Sequence, residues 1–170
     1  SNRSITLLGR KLILDNHGLP SNIQTFFTPE MTELSSVPNN ILAAPIKFVI
    51  ETETGTEELK PISFSYISKT AGSIRWTAVS ASQGIKLEVT GSLEFDGFVA
   101  YQVKLSATEN IKVKDISMIL PFNKEAGVYM MGLGQKGGYR PSSFYWKWDV
   151  ANKNQDGAWI GNVNAGLQFS

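Results

Sequence analysis

From Ile62 to Leu120, apolar and polar residues alternate with a period of two. Ile62, Phe64 and Tyr66 are separated by single serines, Ser63 and Ser65; Ile74, Trp76 and Ala78 follow Ala71-Gly72; Ile85, Leu87 and Val89 follow Gln83-Gly84. Leu93 and Phe95 lead into Asp96-Gly97, after which Val99, Tyr101, Val103 and Leu105 keep one parity. Ile111, Val113, Ile116, Met118 and Leu120 then run up to Pro121. Successive side chains of an extended chain point to opposite faces, so the pattern describes strands packed on one side and wet on the other. Turn signals separate them at roughly 8–12 residues, the spacing of an antiparallel sandwich or barrel. Each large apolar side chain fully buried contributes roughly 1.5–3 kcal/mol, so the inward faces suffice for a core.

The flanking segments fit the same scheme. Ile5 to Asp15 makes two short strands broken at Gly9-Arg10, His17-Gly18-Leu19-Pro20 a turn, and Asn22 to Phe27 extended structure. Pro29 pushes Thr28 out of helical space, so a loop is expected there. Ser35 to Pro45 is polar and proline-flanked, which predicts a connector; Ile46 to Thr52 alternates again, and Thr54 to Glu58 is a charged turn. Helical periodicity is missing throughout, with room for one turn between Pro29 and Leu34. The expected fold is all-β: a single antiparallel β-sandwich over residues 1–170, with very little helix. No linker or shift in charge divides the 170 residues, which are enough for one buried core.

Charge and composition remove several function classes. Sixteen basic and fifteen acidic residues leave a net charge of +1 without a basic stripe, so no nucleic-acid partner is expected. No apolar run approaches the roughly 20 residues of a spanning helix. Without cysteine there are no disulfides and no thiolate zinc sites. His17 is the sole histidine, so any catalytic triad or histidine metal site would need it; before Gly18-Leu19-Pro20 it fits a turn. Nucleophile-elbow, zincin and phosphate-loop motifs are missing, and neither a metal nor a cofactor is expected.

The functional candidates lie between Gly127 and Phe169. Gly132-Leu133-Gly134-Gln135-Lys136-Gly137-Gly138 is a chain reversal with backbone at positive φ. Beyond it come Arg140-Pro141, the aromatic run Phe144, Tyr145, Trp146 and Trp148, and then Trp159, with Asp149 and Asp156 among them. Flat indoles stack on the apolar face of a sugar ring, and Arg or Asp side chains bind its hydroxyls. Trp and Arg equally anchor interfaces between domains, and Trp is also a core residue, as expected for Trp76. Asp149 and Asp156 are the best carboxylate pair for glycoside hydrolysis, which needs a separation of about 5–5.5 Å or about 6.5–9.5 Å. A capped loop and a tight Asp-Gly turn explain the same two residues.

Several segments taken together carry a resemblance: Gly18-Leu19-Pro20 with Ile23-Gln24 and Phe26-Phe27; Phe95-Asp96-Gly97-Phe98 entering a long strand; Ile116 to Phe122; and Gly132-Leu133-Gly134. Arg140-Pro141, Trp146-Lys147-Trp148-Asp149, Gln155-Asp156, Trp159-Ile160-Gly161 and Asn164-Ala165-Gly166-Leu167 complete it. The chain resembles the β-sandwich part of bacterial proteins similar to the glycoside hydrolase 123 family, a group common in Bacteroidetes and long labelled as domains of unknown function. The resemblance implies a galactose mutarotase-like supersandwich and an exported location, periplasmic or at the cell surface. It also implies an accessory, non-catalytic piece of a longer protein whose acid/base residues sit on a separate catalytic barrel of the same polypeptide. Arg140, Trp146, Trp148, Asp149, Asp156 and Trp159 would then line the rim of its cleft or the domain interface. An autonomous carbohydrate-binding module using Trp146, Trp148 and Trp159 is the alternative, and a glycosidase using Asp149 and Asp156 the second.

Overall fold

The computed structural model describes residues 3–149, 151 and 157–170, and the alternating segments are its strands. β1 (Ser4–Leu7) and β2 (Arg10–Leu14) form a hairpin; β3 (Pro20–Phe27), β4 (Leu34–Asn40), β5 (Lys47–Thr52) and the short β6 (Gly55–Thr56) follow. β7 (Lys60–Lys69), β8 (Ser73–Ala81), β9 (Ile85–Glu94) and β10 (Val99–Ala107) form a four-stranded meander. β11 (Val113–Ile119), β12 (Tyr129–Gly132), β13 (Gln135–Tyr139), β14 (Ala158–Asn162) and β15 (Ala165–Phe169) complete the series.

These strands divide among four small sheets, in the orders β1-β2-β3-β4, β10-β9-β8-β7, β11-β5-β6 and β13-β12-β14-β15. The expectation of a β-sandwich, and with it the mutarotase-like supersandwich, is therefore overturned. A sandwich gathers its strands into two broad facing sheets, whereas here they divide among four separate sheets of three or four strands each. The reason is physical. A period of two records which side chains turn inward and carries nothing about which sheet a strand joins. The all-β part of the expectation stands.

The chain forms two compact units, Ser1–Ser21 with Pro45–Leu120, and Asn22–Ala44 with Pro121–Ser170. In the first, the meander places Tyr66, Trp76, Gly91 and Tyr101 in one cross-strand row. Trp76 is fully buried; its indole lies across Gly91 and meets the Tyr101 ring edge-on, with centroids 5.8 Å apart. Its Nε1 donates to the Gly18 carbonyl at 2.8 Å. The turn that presents this carbonyl is held by Asp15, whose Oδ1 accepts from the His17 and Leu19 amides at 2.8 and 3.1 Å. His17 Nδ1 in turn lies 2.8 Å from the Oγ of buried Ser80 on β8. The sole histidine thus ties a turn to a strand.

In the second unit, β4 replaces the expected connector between Ser35 and Pro45. It pairs with β3 through Gln24↔Asn40, Thr25↔Asn39 and Phe27↔Leu34, with an irregularity between Thr25 and Phe27. Asn39 bridges that irregularity, its Nδ2 donating to the carbonyls of Thr25 and Phe27 at 3.3 and 3.0 Å. Ile41 and Leu42 follow, both buried, and Leu42 bridges to Phe122.

Candidate functional site

Residues 129–139 form one hairpin. β12 turns into β13 through Leu133 and Gly134, both at positive φ (50° and 84°), with Gly132 opposite Gln135. Gly137 and Gly138, at φ 100° and 146°, continue β13 without side chains. The glycine-rich reversal expected from the sequence is therefore present. Tyr139 closes β13 and packs on Tyr129 of β12, centroids 5.2 Å apart and planes tilted by 34°.

Arg140 fixes the point at which the chain leaves the sheet. Its amide donates to the Val128 carbonyl at 2.9 Å, its Nε to the Gly127 carbonyl at 2.9 Å and its Nη1 to the Pro141 carbonyl at 3.1 Å. The guanidinium is thus bonded into the local backbone. The following residues, 141–149, form no strand, so Trp146 and Trp148 do not share a strand face. Trp146 and Asp149 are half-buried, whereas Tyr139, Tyr145 and Trp148 are 81%, 86% and 63% exposed. Tyr139 did not stand out in the sequence; an aromatic between a diglycine and a bonded arginine was the available signal.

Trp159 has a different setting. It stands on β14, and its indole lies over Gly161 and Gly166, which face each other across β14 and β15. A β-carbon at Gly161 would lie 2.3 Å from the ring, and one at Gly166 2.7 Å. One face of Trp159 is therefore spent on its own sheet. Asp156, and Gln155 beside it, lie outside the described residues. Asn164, in the turn from β14 to β15, is a tie to β3: its Nδ2 donates to the Phe27 carbonyl at 2.9 Å and its own carbonyl accepts from Thr25 Oγ1 at 2.7 Å. This accounts structurally for the Asn164-Ala165-Gly166-Leu167 motif.

Two shallow concavities belong to the first unit, away from this segment in the sequence. One of about 180 Å³ is lined by Arg3, Asn16 and Pro61 to Phe64; one of about 400 Å³ lies along Glu51 to Thr56 with Lys114. Among the described residues no three His, Asp or Glu side chains gather as metal ligands would, and no helix is long and apolar enough to cross a membrane.

Comparison with known proteins decides the family. A family model, that of the glycoside hydrolase 123 third domain, matches residues 1–170. The chain belongs to that family. No curated protein and no solved structure matches it. The resemblance carried by the sequence motifs is thus correct at the level of family 123, and a third domain of a glycoside hydrolase is consistent with the expected accessory piece. Its fold is the four-sheet arrangement above.

Proposed function

We propose that this domain packs on the catalytic barrel of its own polypeptide and lends the segment from Tyr139 to Asp149 to the rim of the barrel's cleft. The observation that carries this reading is the exposure of Tyr145 and Trp148 on a stretch that leaves the sheet. Single exposed apolar residues need no explanation, but four large exposed aromatics within ten positions, Tyr139, Phe144, Tyr145 and Trp148, mark a surface that meets something. Membership of a glycoside hydrolase family supports a sugar-binding cleft as that neighbour. Arg140, bonded to Gly127 and Pro141, sets where the segment starts.

The test is kinetic. In the parent enzyme, Tyr145→Ala with Trp148→Ala lowers kcat/KM for its glycoside by roughly tenfold or more through lost substrate positioning. The isolated domain keeps its stability within roughly 0.5 kcal/mol, as for surface substitutions. An unchanged kcat/KM removes the rim role. The exposure of Trp148 also favours a second reading, in which this chain alone stacks a glycan on that indole. Saturable quenching of tryptophan fluorescence by an oligosaccharide, lost in Trp148→Ala, would select it.

A further inference from the structure

We propose that the free margins of β10 and β11 are the surface on which an adjoining domain of the same polypeptide docks. The proposal rests on the packing reading above and says where the packing occurs.

Two of the sheets with strands in the first unit have a core face that is covered in the middle and only partly covered at one edge. In the meander, Tyr101 is opposite Gly91, itself opposite Trp76; Val103 is opposite Val89, itself opposite Ala78. Trp76, Ala78 and Val89 are buried, whereas Tyr101, its ring edge packed on Trp76, and Val103 at the margin keep 36% and 37% of their surface exposed. In the other sheet Val113, Ile116 and Met118 of β11 pair with Thr52, Ile50 and Phe48 of β5. Ile50 and Thr52 are buried, while Val113, Ile116 and Met118 are exposed. Each bare margin is an apolar core face that runs past its cover. The two strands are consecutive, and their five-residue connection, 108–112, keeps the end of β10 within roughly 20 Å of the start of β11.

Free edges in soluble proteins are normally defended by proline, bulges and charge. β7, at the other edge of the meander, carries Pro61, two register irregularities and a lysine at each end. β10 pairs over nine residues without a break, has no proline and carries one charge, Lys104. An undefended edge beside an uncovered apolar row is built to be covered. The occupant is a neighbouring domain because the family is described as the third domain of a larger protein, so a cover is covalently at hand.

The methionines provide the test. Met31, Met118 and Met131 are 52%, 53% and 52% exposed, and Met130 is 6% exposed. With hydrogen peroxide and mass spectrometry, the first three oxidise at similar rates in this chain and Met130 lags. In the parent polypeptide, oxidation of Met118 slows by roughly tenfold as its sulfur is covered, and Ile116→Asp restores the faster rate. Met118 at its free rate while Met31 or Met131 slows would overturn the docking surface and leave the packing reading intact. No methionine slowed would overturn both. Protection of Met118 in this chain alone, growing with concentration, would assign the margin to a second copy and overturn the proposal.

Discussion

A β-carbon at position 91 would sit 2.3 Å from the Trp76 indole, closer than real atoms approach. Gly91 is therefore the space that the largest buried side chain occupies. Gly91→Ala should destabilise the chain by roughly 1–3 kcal/mol through overpacking. Gly72→Ala, where a β-carbon meets nothing within 4 Å, should be close to neutral. Urea denaturation of the two variants checks the contrast. Neither outcome could be ranked from sequence, where both are glycines in a β-rich chain. Pairing an indole with a bare partner needs the register, and the register was not legible. The burial of Trp76 was legible, because it sits at an inward position of a strongly alternating run.

At the scale of elements, the β12–β13 hairpin carries a local conflict. A two-residue loop with positive φ at both positions has the signature of a type I′ turn, which favours Asn-Gly, yet its first residue is Leu133 at φ 50°. The left-handed conformation costs a non-glycine residue roughly 1–2 kcal/mol. Leu133→Asn should recover about 1 kcal/mol of that and raise the urea midpoint accordingly; no gain would show that contacts of the half-buried leucine outweigh the strain. Strand positions were largely legible from period-two alternation, and β4 was the exception. Its sequence, Leu34 to Asn40, is polar and contains Pro38, which suits a strand at the end of a sheet as well as a connector. What makes it a strand is Asn39 bonding across to β3, a contact that no local pattern announces.

For the whole molecule, stability at alkaline pH follows from Tyr101. Although about a third of the residue stays exposed, desolvation of its ring end packed against Trp76, and after it the Asp15 carboxylate, push its hydroxyl above the ordinary 10.0. A phenol whose folded pKa is raised keeps its full contribution below the unfolded value near 10 and loses it as pH rises above that. The melting temperature of the wild-type chain should therefore fall between pH 9 and pH 11 (roughly, around the ordinary tyrosine pKa), and Tyr101→Phe should flatten the fall. An equal fall in both proteins would assign it elsewhere. Sheet membership was the part of the fold that alternation could not supply, and the sandwich expectation failed there. The candidate site was legible as residue types, Arg140 and the aromatic run, because glycine and tryptophan cluster visibly. Which indole stands in solvent and which lies on glycines depends on β14–β15 pairing, so Trp148 and Trp159 could not be told apart.

The bond from Thr25 to Asn164 spans 139 positions, and the unit containing it leaves the chain at Ala44 and resumes at Pro121. On a ribosome, β3 and β4 emerge well over a hundred residues before that partner exists. Contacts of such separation must be reached against a loop-closure entropy that is met before they form, which slows folding. The intervening residues, Pro45–Leu120, emerge as a nearly continuous stretch with short-range hairpins that can close during synthesis. Assembly is thus ordered by the route of the chain: an inner segment matures first, and the unit holding the aromatic segment is sealed after it, by the bond from Thr25 to Asn164.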